Sequence, residues 1–189
     1  MLAITIVLTE GYSDWEIGVL AGIGRAFYVA DVRFVSAEGG PVTAISGLKT
    51  QALERFSAPD SGVVVVCGGP TFESDTPPEI EGRLKQAHEN GCVIAGICGG
   101  TLALARAGLL DEAAHTSNGL DYLQAVKTYR GAAHYRDQPQ AVGDGRVITA
   151  PAPAPASFAV EVLTAAGIEA EAAGVIMGML SREHARLGS

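Results

Sequence analysis

The sequence is poor in cysteine, in positive charge and in long apolar runs. Cys67, Cys92 and Cys98 are an odd set of 3 in 189 residues, with no paired spacing. That argues against a disulfide framework or a zinc site and points to a reducing, cytoplasmic setting. Neither a metal nor a cofactor is implied. Lys and Arg number 13 against 21 Asp and Glu, a net charge of −8. The acidic balance excludes nucleic acid and anionic membrane surfaces as expected partners. No apolar run has the roughly 20 residues that a membrane helix needs. The opening MLAITIVLTEGYSD shows no basic segment and no small-residue cleavage site, so a signal peptide is not expected. Neither a repeat nor a domain boundary is visible, and one domain over residues 1–189 is expected. With 48% hydrophobic residues and 18% charged, it has the means to build a sizeable core.

What is present is organised around VIAGICGGTLALARAGLL, Val93 to Leu110. The first part is a short apolar run of strand type. The second sets Leu102, Ala105, Leu109 and Leu110 at helical spacing. Between them, Gly96-Ile97-Cys98-Gly99-Gly100 reads G-x-C-x-G, the cysteine counterpart of the G-x-S-x-G nucleophile elbow. Gly96 and Gly100, lacking a Cβ, allow backbone to approach a strained turn. A thiol at a helix start faces unpaired N–H groups, which favour the thiolate. The other reading of the window is a buried cysteine in a tight strand–helix turn.

In chain order, Ala3 to Thr9 predicts a buried strand. A turn over Glu10–Asp14 follows, then a helix from Trp15 towards Val29, capped by Ser13 or, preferably, Asp14. Asp31–Ser36 and Gly62–Cys67 predict strands, and Val42–Leu53 a short hairpin about Ser46-Gly47. A polar helix is expected from Pro78 to Asn90. Beyond the elbow, Ala113–Asn118 reads as a short strand, Leu120–Tyr129 as a helix and Arg146–Ala150 as a strand after the Asp144-Gly145 turn. Pro151 to Pro155 shapes a stiff loop. Helices are expected over Ser157–Ala166 and Ala170–Ala185. Strands alternating with helices indicate a mostly parallel sheet with helices on both faces. Ligands of such sheets sit beyond the carboxyl ends of the strands. That rule gathers the loops Glu10–Glu16, Gly68–Asp75, Cys98–Thr101 and His115–Asn118.

Several residues there can carry chemistry. The N–H groups of Gly68-Gly69 and Gly99 can stabilise an oxyanion, or Gly68-Gly69 can be a plain turn. Glu16 is either a first-turn residue serving the helix dipole or a raised-pKa acid beside the thiol. His115 and Asn118 alternate along an extended segment, so one of them can face Cys98. Thr101 and Asp14 are auxiliary candidates. His88 and His184 are read as solvent-facing, and His134 as a residue that can reach the cleft edge. Cys67 and Cys92 are read as small core residues. Tyr129, Tyr135 and Arg136 line a pocket or pack at a surface.

These motifs resemble the ThiJ/PfpI superfamily, which includes the Parkinson-disease-associated deglycase and class I glutamine amidotransferase-like proteins. The resemblance rests on LTEGYSDWE, VVVVCGGP, GICGGTLALARAGLLD, HTSNGLDYL and DGRVITAPAPAPASFAVEVL, which cover most of the chain. It implies a flavodoxin-like three-layer sandwich and a homodimer. It also implies an elbow cysteine, Cys98, paired with Glu16, and oxyanion donors at Gly69 and Gly99. The departures are informative. Gly99 stands where the intracellular protease branch has histidine. Asn118 stands where the deglycase branch has histidine. Leu102 replaces the glutamine of true glutamine amidotransferases, and their late His-x-Glu is absent. The isonitrile hydratase branch shares a cysteine and an acid without a full triad, but its acid is typically aspartate.

The expected function is attack by Cys98 on an electrophilic carbon of a small amide, aldehyde or isonitrile. Glu16 handles the proton. The alternatives are a redox-sensing or chaperone-like protein using the same cysteine, and a degenerate binding module.

Overall fold

A computed structural model describes residues 2–185, with side chains to residue 182. The expectation for the His184 side chain lies outside the described residues. The strands are β1 (Ile4–Leu8), β2 (Val32–Ser36), β3 (Val63–Val66), β4 (Val93–Ile97), β5 (Val142–Asp144) and β6 (Val147–Ala150). They form one sheet in the order β2-β1-β3-β4-β6-β5. All neighbouring pairs are parallel except β5–β6. β3 is four valines, all buried, because helices cover both of its faces. Register places Val66 beside both Val7 and Gly96, so β1, β3 and β4 end close together.

The helices are α1 (Asp14–Gly18), α2 (Gly24–Tyr28), α3 (Glu81–Glu89), α4 (Gly100–Arg106), α5 (Leu120–Gln124), α6 (Pro155–Ala165) and α7 (Ala170–Ala185). A π-helical turn, Val19–Ile23, joins α1 to α2. On one face, Ile4, Ile6 and Leu8 pack with Ile17, Leu20, Phe158, Val162 and Ile176. On the other, Val7, Val64 and Val66 pack with Phe72, Leu84 and Leu104. Each such side chain contributes about 1.5–3 kcal/mol when fully buried. The result is a flavodoxin-like three-layer sandwich.

Several expected boundaries differ. The segment Ala113–Asn118 is not a strand; it makes one isolated bridge, His115 to Tyr135. Its polar groups are held by separate partners from elsewhere in the chain, Thr101, Tyr129, Gln138 and Thr149 among them, instead of a ladder. α5 ends at Gln124, five residues before the expected Tyr129. α3 starts at Glu81, three residues after Pro78. Val42–Leu53 folds back through isolated bridges between Thr43 and Lys49 and between Gly40 and Leu53, without a regular ladder. α6 begins at Pro155, because a fixed φ and a missing N–H suit a first helical position. Among the described residues, no helix is long and apolar enough to cross a membrane.

Candidate functional site

Cys98 has φ +53°, the left-handed region that side-chain-bearing residues avoid. Such a position costs roughly 1–3 kcal/mol and persists only where its surroundings enforce it. Here the Cys98 N–H donates to the Ala150 carbonyl (3.0 Å). The Cys98 carbonyl accepts from the N–H (3.0 Å) and hydroxyl (2.6 Å) of Thr101. Thr101 is fully buried and shares a 2.7 Å hydrogen bond with Ser117. It clamps the turn and does not touch a ligand space. The glycines are sterically required. A Cβ on Gly96 would lie 3.0 Å from Leu104, and one on Gly100 would lie 2.9 Å from the Val66 carbonyl carbon.

Glu16, from α1, is fully buried. Its Oε2 accepts the Gly68 N–H at 3.0 Å. The carboxyl also meets the Cys98 thiol and the Ser13 side chain, while Oε1 has no partner of full hydrogen-bond geometry. Burial lifts the Glu16 pKa to about 7, against the smaller pull of the bonds to Cys98, Gly68 and Ser13. Burial likewise pushes Cys98 up to about 11, and the Glu16 charge adds to it; the Asn118 and Gly99 contacts oppose. The expectation that the helix start favours the thiolate is therefore corrected. Cys98 is half-buried and holds its proton at neutral pH, since desolvation and a neighbouring carboxylate outweigh the helix start.

Asn118 is the member of the His115–Asn118 pair that reaches the sulfur. Its Nδ2 donates to Cys98 Sγ at 3.3 Å, and its Oδ1 accepts the Ala152 N–H at 2.9 Å, which fixes the amide's orientation. His115 faces the other way. It is fully buried, with Nδ1 at 2.7 Å from the Ala113 carbonyl and Nε2 at 2.7 Å from the Tyr129 hydroxyl. The carbonyl places the proton on Nδ1, and Nε2 accepts from Tyr129. With both nitrogens occupied, His115 is not a base for Cys98. Tyr129 and Tyr135 pack edge-on against it, which settles their place as packing groups. His134 is half-buried, and His88 is half-buried rather than solvent-facing, its pKa lowered first by that burial.

Asp14 does not cap the helix. Ser13 occupies the N-cap position, and Asp14 accepts a hydrogen bond from the Ser46 hydroxyl. Ser13-x-x-Glu16 has capping-box spacing, but no side-chain cap bond forms; the Ser13 side chain meets the Glu16 carboxyl instead. Gly68 is not a free donor either, because Glu16 takes its N–H. Gly69 and Gly99 remain, although the Gly99 N–H also contacts the Cys98 sulfur. Neither N–H is spent on a backbone carbonyl among the described residues. The two loops touch, since a Cβ on Gly99 would stand 2.7 Å from the Gly69 oxygen and 3.1 Å from its nitrogen. Cys67 is a buried core residue as expected, though its thiol also donates to the Ser13 carbonyl at 3.5 Å. Tyr122 was not foreseen. It donates to Glu73 (2.7 Å) and meets Asn118. Among the described residues, no group of three or more His, Cys, Asp or Glu is placed to hold a metal ion.

Comparison with known proteins bears on the fold and the family. A protein from Bacillus subtilis named uncharacterized protease YoaZ is 36% identical over 162 residues, covering 80% of this chain and 77% of the relative. A DJ-1 superfamily protein from Agrobacterium tumefaciens is 37% identical, with a TM-score of 0.90 over 97% of this chain and all of that one. A thiJ/pfpI family protein from Bacillus anthracis is 30% identical, with a TM-score of 0.76 over 87% of this chain and 84% of its own. The sequence model of the DJ-1/PfpI family matches residues 3–165, and the chain belongs to that family.

Proposed function

We propose that the protein is an enzyme in which Cys98 attacks an electrophilic carbon of a small amide, aldehyde or isonitrile. The observation that carries this reading is a strained, half-buried thiol against a fully buried carboxyl group. As the S–C bond forms, the thiol proton passes to Glu16. The displaced electron pair settles on the substrate heteroatom, facing the N–H groups of Gly69 and Gly99. Glu16 then returns the proton to that atom or to the leaving group. A carboxyl whose pKa lies near 7 suits both directions of transfer. Asn118 donates a hydrogen bond to sulfur and cannot accept a proton from it. The word protease in the name of the Bacillus subtilis relatives does not transfer, because Gly99 follows Cys98 where a protease of this kind has histidine.

The test is turnover on a panel of glutamine, methylglyoxal, isonitriles and simple amides, with Cys98→Ala as control. Turnover lost in that variant supports the reading, and turnover retained overturns it. Oxidation of Cys98 by mild peroxide without turnover on any substrate favours redox sensing instead. The expected homodimer draws support from exposed apolar side chains on α7, Val175, Met177, Met179 and Leu180, with Phe27 and Val29 also exposed. Light scattering at known concentration tests it.

A further inference from the structure

Asn118 is exposed, and an exposed amide ordinarily turns freely about its last torsion. Here it is held from separate parts of the chain. The Ala152 N–H, beyond β6, donates to Oδ1 at 2.9 Å, and Nδ2 donates to Cys98 Sγ at 3.3 Å. The amide nitrogen carries a second hydrogen. The group that meets it is the hydroxyl of Tyr122, on α5.

Tyr122 is itself fixed. Its ring is half-buried and packs on the core face that holds Phe72, Leu84 and Leu104. Its hydroxyl donates to Glu73 Oε1 at 2.7 Å, from the turn Pro70–Glu73 that follows β3. Burial, and next the bond to Glu73, push the Tyr122 pKa up, so the phenol keeps its proton. With that hydrogen spent on a carboxylate, the phenol oxygen has only lone pairs to offer Asn118. Two neighbours therefore dictate the same amide orientation. The Ala152 N–H requires oxygen on its side, and the Tyr122 oxygen requires nitrogen on the other.

We propose that Tyr122 is a positioning residue for Cys98. Anchored by Glu73, it holds the Asn118 amide so that one Nδ2 hydrogen stays on the sulfur. The role matters most when the sulfur carries negative charge, because a hydrogen bond to an ionised acceptor is roughly twice as strong as one between neutral groups. Without the phenol oxygen, the exposed amide swings its nitrogen towards water, and the thiolate loses its donor for part of the time. The proposal rests on the reading of Cys98 as nucleophile only for its effect on turnover; its effect on the thiol stands apart.

The test is a double-mutant cycle between Tyr122→Phe and Asn118→Ala. It is read by the rate at which iodoacetamide alkylates Cys98, with mass spectrometry identifying the site. Below the midpoint of the thiol this rate follows the thiolate fraction. Tyr122→Phe keeps the ring and its packing. It is expected to slow alkylation about three- to tenfold, the net worth of one hydrogen bond. In the Asn118→Ala background the same change is expected to slow it no further, because the donor it positions is gone. Glu73→Ala, at an exposed side chain, frees the phenol hydrogen. It is expected to slow alkylation as well and to be silent in the Asn118→Ala background. It carries the test alone if circular dichroism shows Tyr122→Phe unfolded. Alkylation at the wild-type rate in the folded variants, or equal slowing with and without Asn118, overturns the assignment. The two readings fail separately. Coupling absent in a protein whose turnover needs Cys98 removes the positioning role alone. Coupling present in a protein whose turnover ignores Cys98 removes the catalytic reading alone.

Discussion

Two buried titratable clusters draw on one short segment, which gives His115 to one and Asn118 to the other, and they are built on opposite plans. Around His115 every polar atom is spoken for. Nδ1 faces a carbonyl, Nε2 faces a phenol, and two tyrosine rings pack edge-on. Around Cys98 the plan is incomplete. The backbone is strained, Glu16 Oε1 lacks a well-formed partner, and the Gly69 and Gly99 amides point at no carbonyl. Both clusters shift pKa values mainly by burial. A perturbed pKa therefore does not separate them. Unsatisfied hydrogen-bonding capacity does, because a group with no protein partner is one that a substrate can engage.

The comparison is broken or sharpened by substitution. Cys98→Ala is expected to have the largest effect, abolishing turnover while leaving a folded protein, as read by steady-state kinetics and thermal melting.

Glu16→Gln should lower kcat about 10²–10⁴-fold, the usual worth of a positioned acid–base group. The same change should stabilise the fold. The Glu16 pKa is raised from 4.5 to about 7. The neutral carboxyl therefore favours folding below pH 4.5, and that contribution is lost as pH rises through 7. Above pH 7 the variant should gain up to about 3 kcal/mol over the wild type in urea unfolding, and no such gain near pH 4. Since Glu16 must be ionised to accept the thiol proton, wild-type kcat/KM should rise with pH, with an apparent pKa near 7 that belongs to the Glu16–Cys98 pair. A flat profile from pH 6 to pH 8 argues against this role.

His115→Ala should do the reverse of Glu16→Gln. It leaves the Tyr129 hydroxyl and the Ala113 carbonyl unpaired around a void, at about 2–4 kcal/mol of stability. Turnover per folded molecule should stay within about threefold. A large loss of kcat in a folded His115 variant would erase the distinction between the two clusters.

Asn118→Ala is expected to be the mildest. It removes a donor that lowers the Cys98 pKa, so the pH midpoint of alkylation by iodoacetamide should move up. Turnover should fall about tenfold, in line with one weakened hydrogen bond to sulfur.

Much of the fold was legible because burial leaves a composition signature. Gly62–Cys67 is apolar on both faces and reads as a central strand, which it is. The elbow was legible because a cysteine between glycines at a strand–helix junction has few structural uses. The short elements were less so. Ala113–Asn118 alternates like a strand, yet its partners are side chains and a single bridge. α5 is cut short because the chain leaves the helix through a run of turns that ends at the buried Tyr129.

By itself the sequence determined the layered architecture, the elbow cysteine and the set of loops that meet beside it. Periodicity and glycine placement are local, and the end of a parallel sheet is one place. Tertiary structure alone decided that Cys98 keeps its proton, that Asn118 and not His115 attends it, and that Gly68 serves Glu16. Those outcomes depend on desolvation and on hydrogen bonds between residues far apart in the chain, Glu16 with Gly68 and with Cys98 among them, quantities that exist only once the layers have closed.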